Sequence, residues 1–229
     1  MGDIQMQRRQ FTARILSFGL SGLAPAAWAL SESDAAFGVR EALERGALAA
    51  VSLLGRSDGF LGNPKVRIKL PDSLDNVAQF LKGTGQGRRV DELVTAMNRA
   101  AEAAVPQART LLVNAVKAVS VDDALRIVRG GDNAVTSFFA RKTRAPLHEK
   151  FLPVVTEATQ KVSLADKYNA VAGRAAGFGL IGKEDANIQQ YVTGKALDGL
   201  YFMIGEEEKK IRRDPVGTGS ELLKKVFGG

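Results

Sequence analysis

Two short runs bring ionisable side chains to spacings that a helix would place together. Asn98 and Glu102 are four residues apart with Arg99 between them, and Lys195 and Asp198 are three apart. At these separations each set shares a helix face. Both runs sit among small and apolar residues, so partial burial is expected, and buried polar groups must be paired. The plainer use is a polar clamp between helices. The alternative is a small inter-helix pocket, where binding sites commonly lie. In that case the expectation is an envelope enzyme, such as a hydrolase, that works with Glu102, Asp198, Asn98, Arg99 and Lys195.

A second set is cationic. Lys65, Arg67 and Lys69 alternate with Val66, Ile68 and Leu70, and Arg88-Arg89 follows the Gly-rich run Gly83-Thr84-Gly85-Gln86-Gly87. Such a set could cradle an anion, although a solvated face is the plainer expectation. No aromatic residue is interleaved, so binding of single-stranded nucleic acid has no support. Gly177 to Lys183 has the G-x-x-x-x-G-K spacing of a phosphate-binding loop. However, Glu184 stands where a hydroxyl should meet Mg²⁺, and a helix precedes the run instead of a strand, so it reads as a helix–helix turn. His148 is the sole histidine and cysteine is absent. Thiol nucleophiles, zinc–thiolate sites and multi-histidine metal sites are therefore excluded, leaving only a carboxylate site for Mg²⁺ or Ca²⁺. No G-x-S-x-G elbow occurs. No cofactor and no resident metal are expected.

The elements that must position these residues are helical. Leu43, Ala47, Ala50, Val51 and Leu54 make one apolar stripe, which Gly55 ends, and Ser31 to Asp34 has capping-box spacing before it. Val90, Leu93, Val94, Met97 and Ala101 make a second stripe. Pro106 opens the next helix, with Leu111, Leu112, Ala115, Val116 and Val119. Ser120 to Asp123 is another capping box, and that helix ends at Gly130-Gly131. Asp132 can cap a helix carrying Val135, Phe138 and Phe139. Leu147, Phe151, Val155, Ala158 and Val162 follow, with Pro153 expected to kink this helix or mark its start. A long helix is expected at about 185–213, with Glu206–Lys210 and Glu208–Arg212 as i,i+4 pairs on a solvated face. Leu222, Leu223, Val226 and Phe227 suggest a short docking helix. The period-two segment near 64–71, bounded by Pro64 and Pro71, is the exception. It has no convincing partner strand in the chain and reads either as an extended strap over the bundle or as a strand that pairs in an oligomer. The fold class is thus all-α, a bundle of about eight to ten helices with one extended segment. Residues 30–229 form the domain, with an N-terminal subdomain (30–86) as an option.

The totals agree with a globular chain. Of 229 residues, 45% are hydrophobic and 25% charged, with a net charge of +7. Residues 1–29 read as a signal peptide. Arg8, Arg9 and Arg14 form a basic start, Ile15 to Leu23 is too short to span a bilayer, and Ala27-Trp28-Ala29 is a cleavage site. Gln7-Arg8-Arg9-Gln10-Phe11 is twin-arginine-like, though Gln7 and Thr12-Ala13 depart from that pattern, so export by the twin-arginine or the Sec route both stay open. Either Met1 or Met6 could be the start. Cleavage after Ala29 would deliver a periplasmic chain beginning at Leu30.

Several of these runs together resemble the bacterial domain-of-unknown-function 4197 family. They are Leu30-Ser31-Glu32-Ser33-Asp34 with Glu41-Ala42-Leu43, Gly59 to Pro64 through Leu70-Pro71, and Met97 to Glu102. Gly130-Gly131-Asp132, Tyr191 to Leu200 and the tail Gly219 to Gly228 complete the set. The resemblance covers nearly the whole chain after the leader. It implies an exported helical domain and implies no activity. The expectation that follows is a non-enzymatic envelope protein that binds a partner protein or envelope component. The alternatives are the enzyme above and weak, peripheral association with anionic lipid; no nucleic-acid partner is expected.

Overall fold

Six apolar stripes find one another across a shared core. The computed structural model describes residues 32–72, 87–131, 134–160, 165–170 and 187–214, with positions 79, 83, 85 and 177 between them. The helices are α1 (Glu32–Leu54), α2 (Gly87–Ala104), α3 (Ala108–Lys117), α4 (Val121–Arg129), α5 (Ala134–Thr159) and α6 (Ile188–Arg213). A 3-10 turn, Val105–Gln107, joins α2 to α3, and residues 165–170 are also helical. The fold is all-helical, with no strand among the described residues. Among the described residues six helices and the helical stretch 165–170 stand against the eight to ten helices that the sequence suggested.

Part of that difference lies in α5. It runs unbroken from Ala134 to Thr159 through Pro146 and Pro153, so Pro153 does not mark its start. Each proline removes one helical N–H donor, which frees the carbonyl four residues earlier. Those carbonyls belong to Lys142 and Glu149, both exposed, where water can take the missing donor's place. The prolines are seven residues apart, two turns on one side of the helix. Phe138, Phe139, Leu147, Phe151 and Val155 are buried along the same helix.

α6 is the axis. It packs most extensively on α5, then on α1, and also on α2. Val192, Ala196, Leu197, Leu200 and Ile204 are buried along it, and one continuous apolar cluster links it to α1 through α5. Phe60, Phe138, Phe139 and Phe151 are fully enclosed, each contributing roughly 1.5–3 kcal/mol by leaving water. Local signals fix the helix ends. Gly55 donates to the Val51 carbonyl where α1 stops. Ser120 accepts from the Asp123 amide while the Asp123 carboxylate accepts from the Ser120 amide, a reciprocal cap on α4. Asn187 caps α6 by accepting from the Gln190 amide.

The acidic run of α6 is paired differently from expectation. Glu208 holds Arg212 at 2.7 Å, as anticipated. Glu206 instead takes Lys65 from the strap at 2.6 Å, and Lys210 pairs with Glu207. Glu208 is buried, so the run is not a purely solvated face. The leader-like residues 1–29, the Ser31 box, the Asp132 cap, most of the turn at 177–183 and the tail beyond Asp214 lie outside the described residues.

Candidate functional site: the strap and the groove beside α6

The strap begins as a chain of tight turns. The Asn63 carbonyl accepts from both Val66 and Arg67, so 64–66 is a turn and only 67–71 is free of turns. The expected extended segment therefore starts about three residues later than its alternation suggests. The alternation itself holds in burial. Val66 and Ile68 are buried, whereas Lys65, Arg67 and Lys69 are exposed. The strap crosses α6 at Gly199, where a Cβ would come within 2.7 Å of the Phe60 ring and 3.3 Å of Val66. Gly59 has a similar role, since a Cβ there would meet the Leu54 and Leu53 carbonyls.

α2 also holds the strap, with two buried polar side chains. Asn98, fully buried, accepts the Ile68 N–H and donates to the Ile68 carbonyl, both at 2.8 Å. It thereby completes the backbone of Ile68 as a neighbouring strand would. Its amide also donates to the Val94 carbonyl. Glu102 Oε1 accepts the Phe60 and Leu61 N–H groups at 3.0 Å each. Its Oε2 accepts from Arg99 at 2.7 Å. Arg99 donates in turn to Asp58 at 2.8 Å and to Ser57. Its pKa is raised, chiefly by the hydrogen bond to Glu102. Asp58 has φ of 62°, a left-handed conformation that Asp tolerates better than most residues.

Lys195 and Asp198 lie elsewhere. They line an open groove of about 500 Å³ between the strap and α6, together with Arg67, Lys69, Tyr191 and Phe202. Asp198 forms an ion pair with Arg144 of α5 at 2.7 Å. Asp198 and Phe202 also form the wall of a neighbouring depression of about 320 Å³ that reaches Tyr201 and Lys209. Burial pushes the Tyr201 phenol up, against the lowering effect of its hydrogen bond with Thr143. Glu102 lines neither cavity. The structure thus brings Asn98, Arg99 and Glu102 together beneath the strap and sets Lys195 and Asp198 apart from them in the open groove. An apolar crevice between α1, α4 and α6 offers only about 10 Å³, about the least that holds one water.

The cationic set also divides. Lys65, Arg67, Lys69 and Lys195 line the groove. Arg88 is placed at the start of α2, beside Glu92 at 3.3 Å, and Arg89 is its neighbour there; neither lines the groove. Lys65 is matched by Glu206, whose carboxyl is held below its usual range mainly by that lysine. Arg67 donates to the Leu61 carbonyl. The Lys195 ammonium sits 5.5 Å over the Tyr191 ring, and the Tyr191 hydroxyl donates to the Lys69 carbonyl. Among the described residues, Arg67, Lys69 and Lys195 have no carboxylate partner.

Tyr191, Arg144, Asp58, Phe202 and the Lys65–Glu206 bridge were not anticipated. Of these, Tyr191 could have been flagged, being four residues before Lys195 and within cation–π reach on one helix face. The Arg144–Asp198 pair joins two helices, and nothing in local spacing marks it.

The arrangement defines an all-helical protein with a clamped strap and a basic groove. The profile of a family described as "Protein of unknown function (DUF4197)" matches residues 29–228, and the chain belongs to that family. No curated protein and no solved structure matches the chain. No helix among the described residues is long and apolar enough to cross a membrane.

Proposed function

We propose that this is an exported, non-enzymatic helical protein that binds a partner protein or envelope component, and that the groove between strap and α6 is its binding surface. The observation that carries the reading is the division of labour around the strap. Its inner face is held by Asn98, Glu102 and the close approach at Gly199. Its outer face presents cations to an open cavity large enough for a ligand. Buried, saturated polar groups make a rigid mount for exposed binding residues. The leader-like residues 1–29 support placement outside the cytoplasm.

The hydrolase alternative needs Glu102 and Asp198 in one pocket. Glu102 instead has both oxygens engaged at 5% exposure and does not line the groove that Asp198 lines.

The test is photo-crosslinking in intact cells from a reactive amino acid at position 202, compared with exposed position 44 on α1. The reading expects a discrete adduct from 202 only, reduced in an Arg67→Glu/Lys69→Glu background. No adduct, or the same adducts from both positions, would sink it.

A further inference from the structure

The groove's ligand can be narrowed by chemistry, on the premise that the groove is the binding surface. We infer that it takes an acidic segment of a partner protein, in extended conformation, with carboxylates at alternate residues and an apolar side chain between them.

The first reason is charge. Arg67, Lys69 and Lys195 face the cavity with no carboxylate partner among the described residues, while Asp198 is neutralised by Arg144. Asp72 is the remaining acid on the lining. Among the described residues, an anion entering here meets three cations not committed to carboxylates and breaks no ion pair to reach them.

Register is the second reason. Arg67 and Lys69 lie on the turn-free part of the strap, with Ile68 buried between them. Side chains two apart on an extended backbone repeat at about 6.5–7 Å. Acidic residues at i and i+2 of an extended peptide have the same repeat, so the two rows can meet side chain to side chain. Lys195 supplies a third charge from across the groove.

The third reason is the rim. Phe202 is 42% exposed and Leu70 is partly buried. Both line the cavity with the cations; an extended peptide whose carboxylates meet the strap points the side chain between them the other way, toward Phe202 on the α6 wall. A bare polyphosphate has nothing to place against it. A flat bilayer surface does not follow a concave cavity.

Backbone pairing is not the mode of recognition. Both polar groups of Ile68 are taken by Asn98, and the Lys69 carbonyl accepts from Tyr191. The peptide is read through side chains instead of being added as a strand.

The experiment uses the full chain without its leader and a fluorescein-labelled peptide, Glu-Val-Glu-Phe-Glu-Val-Glu, followed by anisotropy. Its comparators are an isomer with the four glutamates contiguous, inorganic polyphosphate, and phosphatidylglycerol vesicles. The alternating peptide should bind at least several-fold tighter than the contiguous isomer and weaken as salt rises. Lys69→Glu and Lys195→Glu should each cost roughly tenfold. Both sites are exposed, and unchanged circular dichroism confirms that folding is intact; Arg67→Gln/Lys69→Gln gives the same answer without charge reversal. Equal affinity for both isomers, binding that survives these substitutions, or polyphosphate or vesicles binding as tightly as the peptide would each overturn the inference. If the peptide fails while the position-202 adduct still forms in cells, the groove remains the binding surface and only the acidic-segment assignment falls.

Discussion

Replacing Glu102 with Gln separates a structural clamp from a catalytic carboxylate. Oε1 accepts two backbone N–H groups at 3.0 Å and Oε2 accepts Arg99, in a side chain that is 5% exposed. A glutamine has one oxygen. If that oxygen serves Phe60 and Leu61, the amide nitrogen faces the Arg99 guanidinium, donor against donor. If the amide turns over, two backbone donors lose their acceptor. In the better arrangement both backbone bonds survive without the carboxylate's charge. Charge-assisted bonds are about twice as strong as neutral ones, and bonds to charged groups contribute roughly 1.5–3 kcal/mol. Each backbone bond therefore loses about 1 kcal/mol, for a total of about 2 kcal/mol. For a chain of this size that lowers Tm by roughly 4–8 °C. Glu102→Ala leaves both donors unpaired and should cost about 4 kcal/mol. The assay is urea or thermal unfolding followed by far-ultraviolet circular dichroism, because the one tryptophan, Trp28, lies in the leader-like residues 1–29. A Glu102→Gln protein within about 0.5 kcal/mol of the parent, or more stable than it, would refute the clamp. Added stability is what removing a strained functional carboxylate can give.

Three further outcomes follow from the same contacts. Asn98→Leu keeps the volume but strands the Ile68 N–H and carbonyl, and should destabilise by about 2–4 kcal/mol in the same unfolding assay. Gly199→Ala pushes a methyl into the Phe60 ring and Val66; overpacking of this kind costs about 1–3 kcal/mol, and faster hydrogen exchange at the Ile68 amide should locate the damage in the strap. Lys65→Met should raise the Glu206 pKa toward the ordinary glutamate value, read by carboxyl carbon NMR, because the lysine is the main cause of its depression. The sign for stability follows from linkage. A carboxylate with a folded pKa below its unfolded one stabilises above about pH 4.3 and loses that contribution as pH falls through the folded value. The parent should therefore lose more stability than Lys65→Met on acidification below that pH.

Much of the scaffold is legible in local patterns. The stripe ending at Leu54, the Ser120–Asp123 cap and the end of the long helix near 213 all depend on residues close to one another in sequence. The strap's alternation likewise reports which side is buried, although the Asn63 carbonyl winds its first half into a turn. Prolines misled the helix count because a missing donor was taken for a boundary. At solvent-facing positions such as Pro153 the freed carbonyl meets water and the helix continues.

The candidate site is harder to read from sequence, for a different reason. Spacing places Asn98 and Glu102 on one face of α2 but is silent on what lies opposite. The strap backbone fills that place, some 30 to 42 residues distant in sequence. Asp198 and Arg144 are 54 residues apart, and Lys65 and Glu206 are 141 apart. Such pairings are set by how the helices pack, and no local periodicity encodes them.

The central claim is that a buried clamp, itself out of reach of any ligand, holds the basic face of the strap in binding position. Crosslinking yield from position 202 in cells carrying Glu102→Gln, at a temperature where circular dichroism shows the variant folded, tests this most directly. The account predicts a several-fold drop in the adduct although Glu102 lines neither cavity. An adduct of undiminished yield would contradict it.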